Sequence, residues 1–320
     1  MLNSRILITG AGGFIGHHVT GVLAQRFASV VALTGPGDPS RDWPANVESR
    51  EIDIREPLEH EGEIDCIVHL AGPPSVAASF DAAQHYINIH TCGTANLLQF
   101  ARSKEVRRFV YISSAEVYGQ PLHNPVSEDH RLLARSPYGA AKIGAEQLVK
   151  AFSCFGEMSA VILRPFSIYG PGQSMKGLLG TIHRQLREAE ERNATEGHNV
   201  GEIVLADLRP VRDYCFVGDL AEAVASACTA EVNGFSVLNV AGGQGVSVGE
   251  LAKSAASAFG RPETTIRQAK KSDRPSQANI MELVADRSLA KQTLGWVPQT
   301  SLIDGLQATF QCAQRAEEVS

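Results

Sequence analysis

An α/β fold, a parallel sheet covered by helices on both faces, follows from three features of the sequence. Short apolar runs alternate with longer amphipathic stretches through the first half of the chain. Most of these runs are apolar at nearly every position, as strands buried on both faces are. A glycine cluster separates the first run from the first amphipathic stretch, as in a tight strand-to-helix turn. The runs predict strands at 5–9, 29–34, 47–52, 65–70, 107–112 and 159–163, with helix-like stretches such as 14–27 and 80–103 between them. After "YGPGQ" (169–173) the pattern shifts to shorter strands, irregular loops and several helices. A polar run at 188–202 reads as an exposed excursion between a helix and a strand at 203–206.

Composition narrows the class of protein. A chain of 320 residues fits one large or two small domains and can bury a sizeable core. A net charge of −6 argues against a nucleic-acid or anionic-membrane partner, which would need a basic footprint. No apolar run is long enough to span a bilayer, and the sequence opens on a strand rather than a signal peptide, so a cytoplasmic location is expected. The six cysteines (Cys66, Cys92, Cys154, Cys215, Cys228 and Cys312) are scattered without CxxC spacing. They read as reduced thiols, and no metal site is expected.

"RILITGAGGFIGHH" places Gly10, Gly13 and Gly16 between a strand and a helix. Glycines there permit a tight turn and close backbone approach, and the free N–H groups of Phe14, Ile15 and Gly16 at the helix start suit a pyrophosphate. A dinucleotide, NAD(P), is the expected cofactor, on a Rossmann-type doubly wound sheet. Such sites carry an acidic residue at the end of the second strand that grips the ribose diol. Here Thr34 holds that place, with Asp38 following and Arg41 nearby, a hint of NADP. Asp53, just past the third strand, is placed to accept from the adenine amino group, with Ile54 beside it. Leu70 and Ala71 of "HLAG" lie where backbone must pass close to the cofactor. His69, without a metal-ligand partner at helical spacing, reads as packing.

"SPYGAAKIGAEQLV" begins a helix, with Ser136 as N-cap and Pro137 in the first turn. Tyr138 and Lys142, four apart, share one face. A phenol of pKa about 10 is a poor base at neutral pH, and an adjacent ammonium is expected to lower it. Such a pair beside a nicotinamide can take a proton from a sugar hydroxyl.

With "TGAGGFIG", "DIRE", "HLAG", "NIHTCGTANLL", "SSAEVYG", "YGAAK", "LRPFSIYGPGQ", "RPVRDYCFVGDLAEAV", "NVAGGQGVSV" and "ADRSLAKQTLGWVP" in order, the chain resembles an extended short-chain dehydrogenase/reductase of the nucleotide-sugar epimerase/dehydratase family. The resemblance implies a dinucleotide-binding domain at 1–165, with a returning segment near 211–242. It also implies a smaller, mixed α/β substrate domain from 166–210 and 243–320. It makes Ser114, Tyr138 and Lys142 the catalytic residues, with Lys142 also holding the nicotinamide ribose. Arg212 and Arg274 match the arginines that clamp the nucleotide diphosphate, and Asn88 matches an active-site asparagine. Ser167 stands where many epimerases have a substrate-touching asparagine. Dehydrating members carry Asp-Glu after the catalytic hydroxyl residue. This chain has Ala115 and Glu116, which leaves Glu116 in the site without the acid that dehydration needs. The implied activity is 4-epimerisation of a nucleoside-diphosphate sugar with NAD. The alternative is an NADPH-dependent 4-ketoreductase, with dehydratase, decarboxylase or a non-catalytic dinucleotide-binding scaffold behind it. A homodimer is implied as well.

Overall fold

The computed structural model describes residues 1–39, 41–196, 201–269 and 280–318. The strands of the first half are β1 (Leu2–Thr9), β2 (Phe27–Thr34), β3 (Val47–Glu51), β4 (Cys66–His69), β5 (Arg108–Ile112) and β6 (Ser159–Pro165). Those of the second half are β7 (Ser167–Tyr169), β8 (Glu202–Leu205), β9 (Val211–Phe216), β10 (Phe235–Val240), β11 (Gly245–Ser247), β12 (Thr265–Gln268) and β13 (Glu282–Leu283). The helices are α1 (Phe14–Arg26), α2 (Ala78–Asp81), α3 (Ala83–Ile87), α4 (Thr94–Ser103) and α5 (Pro137–Cys154), then α6 (Leu178–Glu196), α7 (Val217–Thr229), α8 (Val248–Ala258), α9 (Ser288–Leu294) and α10 (Leu302–Glu318).

Seven strands form the main sheet in the order β10-β6-β5-β4-β1-β2-β3, every neighbouring pair parallel. The two-residue alternation of side chains sorts its core into two layers. Ile6, Ile8, Val30, Val68, Val110 and Ile112 pack with Val19 and Leu23 of α1 and Leu220 and Val224 of α7. Leu7, Val31, Ile67, Phe109 and Tyr111 pack on the other face with Leu97 and Leu98 of α4 and Ala145 and Val149 of α5. Each fully buried aliphatic side chain contributes about 1.5–3 kcal/mol. This double cover explains why the strands read as continuous apolar runs.

The chain winds outward from β1 through β2 to β3, then crosses back to lay β4 on the other side of β1. Strand order reverses between β1 and β4, and the crevice beyond their carboxyl ends is where such sheets bind ligands. The second half adds a small sheet, β11-β9-β13 with β7 on β9, and a parallel β8–β12 pair. A separate apolar core binds them through Ile182 and Leu186 of α6, Leu251 and Ala255 of α8, and Leu306 and Phe310 of α10.

Two expectations need correction. The stretch 80–103 is not one helix: α2 and α3 lead into a π-helical turn over Asn88–Gly93 before α4 resumes. Within it the Thr91 hydroxyl donates to the Ala141 carbonyl of α5 at 3.1 Å, a tertiary bond that amphipathic spacing cannot show. The polar run 188–202 is likewise no simple excursion, because α6 continues through it to Glu196. Ion pairs of Arg184 with Glu188 and Arg187 with Glu190, at helical spacing, suit an exposed helix face.

Beneath α5 lies a buried polar network. The Arg164 guanidinium donates to both Glu146 oxygens, at 2.9 and 2.7 Å, and to the Tyr118 hydroxyl at 2.9 Å. Tyr118 donates onward to Asn239 at 2.6 Å, and the Ser113 hydroxyl donates to Glu146 at 2.5 Å. Arg164→Met strands a buried carboxylate and is expected to cost about 3–5 kcal/mol in urea denaturation. Adding Glu146→Leu to it should return much of that loss.

Candidate active site

The glycine cluster forms a cradle at the strand-order reversal. Gly10 turns with φ +72°, and a Cβ on Gly16 would lie 2.0 Å from the Gly10 carbonyl oxygen. The helix start is thus pressed onto the end of β1. Gly13, the N-cap of α1, supplies no side-chain acceptor, and the first helical bond runs from the His17 N–H to the Gly13 carbonyl. The N–H groups of Phe14, Ile15 and Gly16 therefore stand at the positive end of the helix without a cap. An anionic diphosphate fits this cradle, and a side chain at Gly16 would not.

The other residues expected around a dinucleotide lie along the same edge. The Thr34 hydroxyl turns to the Arg50 carbonyl of β3 at 3.4 Å. Asp53 is ion-paired with Arg55 and accepts the Arg55 backbone N–H at 3.0 Å, while Ile54 is buried. Leu70 and Ala71 donate to the Thr9 carbonyl and hydroxyl at 3.2 and 3.3 Å, which closes the strand ends together. His69 is held between the Thr9 and Thr94 hydroxyls at 2.7 and 2.9 Å. No cluster able to hold a metal exists among the described residues.

Across the crevice, α5 delivers Tyr138 and Lys142. The Ser136 hydroxyl accepts the Gly139 N–H at 3.1 Å, and Pro137 opens the helix. The Ser114 hydroxyl accepts the Glu116 N–H at 3.2 Å, capping the single turn that carries Glu116, and it holds the pKa of the neighbouring Tyr138 phenol down against burial. Lys142 donates to the Ile112 carbonyl at 2.7 Å and stands 6.0 Å from the centre of the Tyr138 ring. Ser114, Tyr138, Lys142 and Glu116 thus come together, but the electrostatics differ from expectation. Burial pushes the Tyr138 pKa up to about 12, against the opposing pull of Ser114. Lys142 is itself lowered to about 7 by burial, which the Glu146 carboxylate partly offsets. Desolvation outweighs the ammonium's effect because both groups are buried.

Glu116 is half-buried. Burial raises its pKa, and the Arg212 guanidinium pulls the other way. Arg212 lies on β9, with a guanidinium nitrogen on the Val211 carbonyl at 2.9 Å. Ser167, on the neighbouring β7, is in register with Tyr214. Ala115 packs with Val117, Tyr118 and Phe166 in a small apolar cluster. Arg274 lies outside the described residues. Asn88 accepts from Gln84 at 2.8 Å on the half-exposed side of the π-helical turn.

The sequence reading missed the residues that grip the phenol ring. His90 and Tyr86 pack edge-on to Tyr138, with centroids 5.3 and 6.1 Å away. Gly72, at φ +134°, makes room for His90, since a Cβ there would lie 2.2 Å from the imidazole. The four-residue spacing of Tyr86 and His90 was the available signal.

A phosphate cradle at the reversal point of a parallel sheet, together with Ser114 beside Tyr138 and Lys142 one turn on, defines a dinucleotide-dependent enzyme of the short-chain dehydrogenase/reductase type. The chain belongs to the NAD-dependent epimerase/dehydratase family, whose model matches residues 6–241. It is 29% identical over 321 residues to a UDP-glucose 4-epimerase of Mycolicibacterium smegmatis, covering 96% of this chain and 97% of that one. Among solved structures, a UDP-glucose 4-epimerase from Stenotrophomonas maltophila with bound NAD and formylated UDP-arabinopyranose is similar, at 25% identity and TM-score 0.85, covering 99% and 100% of the two chains. The RMD structure from Pseudomonas aeruginosa, complexed with NADPH, gives 25% identity and TM-score 0.79, covering 98% and 100%.

The Lys142 shift predicts a pH dependence of stability. A lysine whose folded pKa is about 7, against roughly 10.4 unfolded, costs stability in full below pH 7. The unfolded chain binds the extra proton between these values, so the cost fades as pH rises through that window. Lys142→Met should therefore stabilise the protein more at pH 7 than at pH 10, as read from urea midpoints.

Proposed function

We propose that the protein is a 4-epimerase of a nucleoside-diphosphate sugar. The observation that carries this reading is the Ser114–Tyr138 hydroxyl pair beside the cradle, flanked by Ala115 rather than a second acid. The similar epimerases named above support it. A dinucleotide held on the glycine cradle would supply reversible hydride exchange at C4 of the sugar. The remaining work falls to side chains of this chain. Tyr138 takes the proton of the C4 hydroxyl and gives it back, and Ser114 holds the C4 oxygen. Lys142 supplies the nearest positive charge for a phenolate, and His90 and Tyr86 fix the ring's direction. Arg212 offers a planar fork to diphosphate oxygens, and Asn88, Ser167 and Arg274 complete the expected sugar-nucleotide contacts. The carboxyl of Glu116, drawn upward in pKa by burial and downward by Arg212, can hydrogen-bond the sugar ring.

Glu116 also favours a second reading, the NADPH-dependent 4-ketoreductase, because reductases of the family resemble "SSxEVYG". The similar NADPH-bound RMD structure adds weight to it. The proposed domain division, 1–165 with 211–242 against 166–210 with 243–320, draws support from the return of β10 to the main sheet. We further propose a homodimer, for which the exposed Phe155 side chain at the end of α5 offers apolar contact surface. No helix among the described residues is long and apolar enough to cross a membrane.

Incubation with UDP-glucose and other nucleoside-diphosphate sugars, followed by NMR, should show the C4 epimer without consumption of added reductant. Tyr138→Phe should lower kcat by about 10²–10⁴-fold and leave substrate affinity nearly unchanged. NADPH oxidation by a 4-keto sugar, with no epimer from any sugar tested, would select the reductase instead.

A further inference from the structure

The end of β2 lacks an acid at Thr34, yet the structure returns one to that place. Gly35-Pro36-Gly37-Asp38 is a tight turn in which the Asp38 N–H donates to the Gly35 carbonyl at 3.1 Å. Proline second and a glycine third, here at φ +80°, are the residues a type II turn requires. The turn folds Asp38 back so that Oδ2 accepts the Gly35 N–H at 2.7 Å. The carboxylate also lies against the phosphate cradle, since a Cβ added to Gly12 would stand 2.6 Å from Oδ2. Asp38 is exposed, and its Oδ1 has no hydrogen-bond partner among the described residues. One oxygen fixes the carboxylate in place and the other remains available.

Arg41, the residue that hinted at NADP, is seated differently. Its guanidinium donates to the Gly12 carbonyl at 3.2 Å, and it forms no ion pair with Asp38 among the described residues. The two side chains thus meet the same glycine, Arg41 at its carbonyl and Asp38 at its Cα side, without pairing with each other. A ribose diol offers two donors to a carboxylate there, whereas a 2′-phosphate would bring a dianion against it.

We propose that Asp38, returned by this turn, accepts the adenosine ribose hydroxyls of the dinucleotide and sets a preference for NAD over NADP. The assignment rests on reading the glycine loop as a dinucleotide cradle. It also favours the epimerase over the single-pass reductase, because the epimerase keeps one dinucleotide and needs no supply of NADPH.

Calorimetric titration of the purified protein, freed of resident nucleotide, with NAD⁺ and NADP⁺ tests it. NAD⁺ should bind at least about tenfold more tightly. Asp38→Asn keeps an acceptor for the Gly35 N–H, and so the turn, but removes the charge. It should weaken NAD⁺ by roughly tenfold and bring the two affinities together. Melting temperatures of Asp38→Asn and Asp38→Ala, read first, establish that each variant folds. Equal or tighter binding of NADP⁺ to the unsubstituted protein, or a ratio that Asp38→Asn does not move, overturns the assignment and leaves the cradle standing. Loss of that NADP⁺ binding in Arg41→Ala would then give the role to Arg41. Failure of both nucleotides to bind overturns the cradle and the assignment together.

Discussion

The contact between Arg164 and Glu146 holds the chemistry in place. Arg164 is 1% exposed and Glu146 is fully buried. Two charges so far from water are tolerated only when each is matched by its counter-ion and by further hydrogen bonds. Here the fork is bidentate, and the spare donors and acceptors go to Tyr118, the Glu128 carbonyl and Ser113. Ser113 immediately precedes Ser114, and Tyr118 follows Glu116 by two residues. The segment carrying both candidate site residues is thus pinned at its two ends to one ion pair. Glu146 also lies one turn beyond Lys142 on α5, so the pair ties Tyr138 and Lys142 to the loop they face. A proton-transfer site needs this fixity, because small displacements remove the benefit of prealignment.

Burial gives the site a character that residue types alone do not convey. Tyr and Lys four apart suggest a phenol made acidic by an ammonium, and the spacing is present. The buried setting raises the phenol and lowers the ammonium instead, and Lys142 turns its charge toward a backbone carbonyl. The fold sets the geometry, while the reacting oxygen must be stabilised by whatever sits against Tyr138 in turnover. His90, inside the π-helical turn, is part of that surface. Burial and Lys142 hold its pKa down near 3, so it faces the phenol as a neutral ring.

These features mark what a linear sequence can and cannot reveal. The central strands of the main sheet were legible because they are buried on both faces, whereas the edge strand β3, exposed at four of five positions, carries no such signal. The starts of α1 and α5 were legible because glycines, Ser136 and Pro137 encode local backbone geometry. The break between α3 and α4 was not, because it is stabilised by contacts to α5, about fifty residues away in the chain. The turn of Gly35–Asp38 was visible as a turn; its consequence, a carboxylate laid on Gly12, depends on how two loops approach each other. Asp53 pairs with Arg55 two residues on, a local contact that its position in the sequence did not announce.

The proposed epimerase must present both faces of C4 to one hydride carrier, and the structure constrains how. Arg212 lies on the small sheet, whereas Tyr138 lies on α5 against the main sheet, so sliding one sheet against the other would be one way to reorient the sugar. The connections oppose this. The α7 helix follows β9 directly and packs into the main core through Leu220 and Val224. At the helix start, Asp219 accepts the backbone N–H groups of Gln299 and Thr300, both at 3.1 Å, and its carbonyl accepts the Trp296 indole. One residue beyond Arg212, buried Asp213 accepts N–H groups from Gly243 and Ala285 at 2.8 and 3.2 Å. Sliding would break these buried bonds, each costing about 1–3 kcal/mol when left unmade. Rotation about single bonds between the diphosphate and the sugar ring breaks none of them. On the epimerase reading, the ring therefore turns while the base and the diphosphate clamp stay still.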